Sequence, residues 1–159
     1  KTASSMNCVT NMVCMYMTKP TSNLTDVFTL ELDVLYPVSE EGVGTNDGFH
    51  YSFYDALNNK VIGLTLGLMH PSNKTQSVSY DWINGESENE GQTDLNFKRG
   101  EFNHIAISFN KRALKVYVNG SRVVNIPRCN APAYFTLYGE TGARGAGQFI
   151  TNIRIAKGK

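Results

Sequence analysis

Glu31 and Asp33 stand two residues apart, and in an extended strand that spacing turns both carboxylates to one face. Paired carboxylates can cleave a glycosidic bond, one as nucleophile or base and the other as acid. The same alternation makes Glu31 and Asp33 the outward complement of Phe28, Leu30 and Leu32. Any strand with one buried face shows that pattern, so a solvated or groove-facing surface is the preferred reading. A second set of residues suits sugar binding without cleavage, which needs an aromatic platform for the apolar ring face and flanking amides or carboxylates for hydroxyls. Trp82, the single tryptophan, leads into Asn84, Glu86 and Glu88, and Tyr54-Asp55 closes a neighbouring strand. The candidate ligand-binding set is therefore Trp82, Asn84, Glu86, Tyr54 and Asp55. Trp82 filling the core between two sheets is an equal alternative at this stage.

Other chemistries find less support. His50, His70 and His104 are scattered, with no His-x-x-x-His or Cys-x-x-Cys spacing for a metal. No Gly-x-Ser-x-Gly elbow occurs. Gly142, Gly145 and Gly147 lack the Lys-Ser/Thr ending of a phosphate loop and read as a turn. Asn46-Asp47-Gly48 and the segment holding Asn84, Glu86, Glu88, Asn89 and Glu90 offer oxygen ligands for calcium, but in no EF-hand order. No cofactor is expected and no metal site is assigned. Cys8, Cys14 and Cys129 form an odd set, open to three thiols or one disulfide. The sequons at Asn23, Asn73 and Asn119 are short enough to arise by chance.

These residues need a scaffold, and the composition supplies one. The chain of 159 residues suits one domain, with 41% hydrophobic and 18% charged residues, eight Tyr and eight Phe. A formal net charge of +1 gives no pull toward nucleic acid. Lys98, Arg99, Lys111, Arg112 and Lys115 read as a solvated hairpin edge. No run approaches the roughly 20 apolar residues of a membrane-spanning helix. Nor does a basic head precede an apolar run at the N-terminus, although a mature or truncated chain would read the same way.

Residues 1–26 read as an irregular arm with room for one short strand. From Val27 a period of two takes over: Phe28, Leu30, Leu32, Val34 and Tyr36 alternate with Thr29, Glu31, Asp33 and Leu35. Pro37 ends that strand and 39–48 is a loop. Strands are predicted over 49–54, 61–69 and 77–83, with Gly63 and Gly67 opposite Ile62, Leu64, Leu66 and Leu68. Glycine on one strand face leaves room for a ligand or a close backbone. Asn84 to Asp94 reads as a polar loop. Strands follow over 102–109, 114–118 and 122–126, the last two joined by Asn119-Gly120, a strong hairpin signal. Further strands cover 133–138 and 149–156, and no capped helical period is present.

The run Glu101-Phe102-Asn103-His104-Ile105-Ala106-Ile107-Ser108-Phe109, followed by Leu114-Lys115-Val116-Tyr117-Val118-Asn119-Gly120, resembles the hairpin core of laminin-G and concanavalin A-like domains. The ending Phe149 to Ala156 and the opening Phe28 to Val34 are similar to the closing and opening strands of jelly-roll domains that precede OmpA-like domains in Bacteroidetes-type envelope proteins. The resemblance spans roughly residues 27–157. It implies an all-β, antiparallel two-sheet sandwich of the concanavalin A-like jelly-roll type over 27–159, with the arm packed on or flanking it, and first and last strands side by side. It also implies His104 packed beside a core strand. Glycoside hydrolases on that fold use Glu-x-Asp-x-x-Glu. Here Glu31 and Asp33 match the first two positions and Tyr36 replaces the acid/base, which removes the proton donor.

The resulting expectation is a non-catalytic, extracytoplasmic recognition domain of the cell envelope, periplasm or exterior that binds carbohydrate. Its partners would be a glycan or an envelope or extracellular protein, with no nucleic acid and no membrane span. The alternatives are a protein–protein or assembly module, and a divergent glycoside hydrolase using Glu31 and Asp33.

Overall fold

Every second side chain from Phe28 to Val34 is buried and those between are half-buried, so the period read in the sequence is the period of the structure. The computed structural model describes residues 14–16, 24–35, 47–68, 76–82, 86–88, 96–140 and 149–158. Among them lie eleven strands and no helix: β1 (Cys14–Tyr16), β2 (Val27–Leu35), β3 (Asp47–Tyr54), β4 (Lys60–Leu68), β5 (Gln76–Trp82), β6 (Glu86–Glu88), β7 (Phe102–Asn110), β8 (Ala113–Val118), β9 (Ser121–Ile126), β10 (Tyr134–Glu140) and β11 (Phe149–Lys157). They form two antiparallel sheets, one of six strands in the order β1-β10-β3-β4-β5-β6 and one of five in the order β11-β2-β7-β8-β9. The chain is a concanavalin A-like jelly-roll sandwich, and β2 and β11 pair side by side.

One segment differs from the sequence expectation, while the N-terminal arm holds the short strand it was read to have room for. The stretch 84–94, expected as a loop, contains β6, which pairs with β5 through Tyr80, Asp81 and Trp82. An edge strand of three residues gains its pairing from the backbone, so Glu-Ser-Glu needs no apolar period to join, and its charges suit an edge. Within the N-terminal arm, Cys14–Tyr16 pairs with Leu137 to Gly139 of β10. Cys8 lies outside the described residues. Cys129 is a free thiol, buried, and burial pushes its pKa up to about 11.

Side chains alternating from both sheets fill the space between them. Phe28 of β2 stacks on Phe53 of β3 with centroids 6.4 Å apart, a contact that crosses from one sheet to the other. Phe109 extends that cluster along the five-stranded sheet at 5.6 Å from Phe28, and Phe135 extends it along the six-stranded sheet at 6.0 Å from Phe53. Aromatic pairs at such spacings add to what area burial contributes. Ile105, Ile107, Val116 and Val118 are all fully buried, as the hairpin pattern requires.

The β8–β9 turn is fixed by its residues. Asn119 has φ of 48° and Gly120 of 83°, both in the left-handed region that a two-residue hairpin turn of this type demands. The Asn119 side chain then reaches inward. Its Nδ2 donates to Asn96 O at 2.8 Å and to Asn103 Oδ1 at 3.0 Å, while its Oδ1 accepts from the His104 amide at 2.9 Å. Asn103 is fully buried, and its amide also accepts from Lys98 N and donates to the carbonyls of Lys98 and Glu101. Two amides thus satisfy a buried corner without a charge.

Candidate functional site on the outer face of the six-stranded sheet

Strand parity decides which side chains face away from the core. In β3, Phe49, Tyr51 and Phe53 are fully buried, so His50, Ser52 and Tyr54 stand on the outer face, each half-buried. Register carries this parity to the neighbours: Tyr54 lies across from Tyr134, Ser52 from Thr136 and His50 from Tyr138. On the other flank His50 lies across from Thr65, and Ser52 from Gly63. The six-stranded sheet therefore presents two aromatic pairs separated by a row of small residues.

Both pairs are stacked. The Tyr54 and Tyr134 rings are 5.0 Å apart at 10°, and the His50 and Tyr138 rings 4.3 Å apart at 8°. Thr65 Oγ1 lies 2.9 Å from His50 Nδ1, within hydrogen-bond distance, which fixes the imidazole against β4. A Cβ on Gly48 would sit 3.5 Å from His50 Nε2 and 3.6 Å from Thr65 Cγ2, so the glycine marks ordinary contact space beneath that ring. Between the pairs the floor is Thr136, Ser52 and Gly63, two hydroxyls and a bare backbone. The arrangement can hold apolar ring faces against aromatic walls and bond hydroxyls from below.

The turn after β3 anchors one end. Asp55 Oδ1 accepts from the amides of Leu57 at 2.9 Å and Asn59 at 2.8 Å, and its Oδ2 accepts from Asn59 Nδ2 at 3.0 Å. Bonds from the Asn59 side chain and backbone hold the Asp55 carboxyl below the usual carboxylate range. Asn58, with φ of 68°, accepts a hydrogen bond from the Tyr134 hydroxyl. Asp55 thus shapes the turn that holds the Tyr134–Tyr54 stack.

Of the sequence-nominated set, the structure brings Tyr54 and Asp55 together at this end. Trp82 pairs with Ile62 on β4 and with Glu86 on β6. Asn84 lies outside the described residues. Sequence reasoning missed His50, Tyr134 and Tyr138 as site residues. The available signal was aromatic side chains at outward positions of predicted strands. What the sequence could not give was that 49–54 pairs with 133–138.

Glu31 and Asp33 lie on the outer face of the other sheet, with Glu31 across from Ala106 and Arg154. Asp33 Oδ1 is 2.9 Å from His104 Nδ1, and its Oδ2 accepts from Asn152 Nδ2 at 2.6 Å. Asn152 has φ of 54° at the irregularity between Thr151 and Arg154, which turns its amide onto Asp33. Burial raises the Asp33 pKa, but the bonds from Asn152 and His104, with the charges of His104 and Arg154, outweigh it and hold the carboxyl below its usual range. His104 was expected to pack beside the core. Instead its side chain is 49% exposed, because its neighbours Asn103 and Ile105 take the buried positions on either side.

No family model matches the chain, and no curated protein matches it in sequence. Solved structures do match it in fold. Sheep galectin-11 in complex with glycerol superposes with a TM-score of 0.55 at 8% identity, covering 94% of this chain and 99% of that one. Galectin LEC-6 of Caenorhabditis elegans gives 0.55 at 12% identity, covering 94% and 95%. Alginate lyase A1-II′ gives 0.58 at 8% identity, covering 98% and 80%. At these identities the likeness is one of fold.

Proposed function

We propose that this domain is a carbohydrate-recognition module that acts outside the cytoplasm and does not cleave its ligand. The observation that carries the reading is the pair of aromatic stacks, Tyr54–Tyr134 and His50–Tyr138, set on either side of a hydroxyl-bearing floor. Aromatic walls bury the C–H faces of sugar rings while Ser52, Thr65 and Thr136 exchange hydrogen bonds with ring hydroxyls. Tyr54 keeps the platform role that the sequence suggests, and Asp55 serves as the brace of the turn behind it. We assign the platform to Tyr54 and Tyr134, whose stacked rings stand on the outer face. Galectins and alginate lyases on the same sandwich support a glycan-related role at the level of fold. We assign no hydrolysis to Glu31 and Asp33. They lie on the far sheet, and both Asp33 oxygens are within hydrogen-bond distance of His104 or Asn152.

A glycan array read with the wild type, Tyr134→Ala, His50→Ala and the far-face control Ser108→Ala tests the proposal. The expected result is retention on a defined subset of glycans, lost in the first two variants and kept in the control, with no reducing sugar released from the bound polymer. Retention that survives both substitutions, or that falls with Ser108→Ala, would remove the site from this face.

A further inference from the structure

We infer that the ligand of this face is an uncharged oligosaccharide spanning both aromatic pairs, not a polyuronate; the inference rests on the carbohydrate reading above and adds the class of glycan. Charge carries the first half of the argument. The described outer rows of β10, β3 and β4 consist of aromatics (His50 among them), hydroxyls and glycines, and among the described residues their one lysine or arginine is Lys60, at the rim across from Tyr54.

A polyuronate brings one carboxylate with each sugar. Laid along this face it would lose hydration at each charge and meet one ammonium at one end. Moving an ion from water without a paired charge or several donors is strongly unfavourable. Hydroxyl and C–H groups carry no such cost and match the stacked rings and the Ser52, Thr65 and Thr136 hydroxyls. Fold likeness extends to alginate lyases, and the charge on this face, which backbone superposition does not report, is what argues against a polyuronate here.

Length carries the second half. His50 and Tyr54 are four residues apart on β3, so their pairs stand about 13 Å apart at the rise of an extended strand. A single pyranose ring cannot touch both. The floor between them offers the two hydroxyls and Gly63, with no wall to divide it among the described residues, so one continuous chain can lie along β3 and β10.

Isothermal titration at low ionic strength tests both halves, with the intact chain, monosaccharides, uncharged hexasaccharides from glucans and galactans, and alginate hexasaccharides as probes. The expected result is binding of an uncharged hexasaccharide at least tenfold tighter than its monosaccharide. Tyr54→Ala and Tyr138→Ala should each weaken it, and alginate hexasaccharide should bind at least tenfold more weakly. Circular dichroism of each variant confirms the fold. Alginate binding that equals or exceeds the uncharged probes and is lost in Tyr54→Ala overturns the inference while the carbohydrate reading stands. Equal affinity for monosaccharide and hexasaccharide overturns the spanning claim. Binding of none of these probes, together with an empty glycan array, overturns both readings.

Discussion

Asn119→Asp exchanges one atom type at the β8–β9 turn and should be among the most damaging single changes outside the hydrophobic core. The wild-type amide donates twice through Nδ2, to Asn96 O at 2.8 Å and to Asn103 Oδ1 at 3.0 Å. An ionised carboxylate has no proton to donate, so an oxygen would face two oxygens at those distances. Losing two hydrogen bonds costs about 1 kcal/mol each, and setting a charge against two acceptors in a part-buried corner adds to that. The expected total is about 2–4 kcal/mol, a large fraction of the roughly 5–15 kcal/mol by which domains are stable. Asn119→Gly is the control, since glycine keeps the positive φ at no steric cost and removes the side-chain bonds without adding charge.

The sign of the pH dependence sharpens the test. In the folded variant the protonated acid can donate one of the missing bonds and the ionised form cannot, so folding raises the pKa of the new carboxyl. A raised acid pKa means stability is highest below the unfolded value, about 4, and is lost as pH rises through the folded value. Urea denaturation of wild type, Asn119→Asp and Asn119→Gly at neutral and at acid pH would resolve both effects. The aspartate variant should be the least stable at neutral pH, and its deficit against the glycine variant should shrink on acidification. A neutral-pH midpoint equal to that of wild type, or a deficit independent of pH, would refute the assigned bonding of Asn119.

Two further outcomes follow from other groups. The Tyr51 hydroxyl is buried without a hydrogen-bond partner, so Tyr51→Phe should raise stability by about 1 kcal/mol, read as a higher urea midpoint with unchanged slope. Bonds from Asn152 and His104 hold the folded Asp33 carboxyl below its ordinary range, so its stabilising contribution is complete above the unfolded pKa and lost as pH falls through the lower, folded one. Asp33→Asn should flatten that acid limb of the stability curve, and an unchanged limb would deny the pairing with His104 and Asn152.

The architecture was legible because burial at period two leaves a mark in composition. Phe28, Leu30, Leu32 and Val34, or Ile105, Ile107 and Phe109, announce a one-sided strand wherever they occur. Asn119-Gly120 announces its turn because few other residues adopt two successive positive φ values. Short edge pieces such as β6 leave no such mark, since backbone pairing alone can hold them. His104 shows a different limit. Resemblance implied a packed histidine, whereas parity beside the buried Asn103 and Ile105 already required an outward one. Local alternation is the stronger physical constraint of the two, because a strand cannot turn one residue over without a bulge.

The site was less legible for a reason that applies to sandwiches in general. A binding face on a sheet is assembled perpendicular to the strands, from residues far apart in the chain, so its composition depends on strand order. Tyr54 is informative only once Tyr134 stands beside it, and His50 only beside Tyr138 and Thr65. Along the sequence each is an ordinary outward residue of an ordinary strand. The motif that does run along the chain, Glu31 and Asp33, belongs to the other sheet, where a bulge in β11 brings Asn152 to bind one of its oxygens. In a fold of this kind, chemistry read along one strand points first to the stability of that strand. The proposed binding face lies instead in the rows that cross from β10 through β3 to β4, where the aromatic pairs and hydroxyls converge.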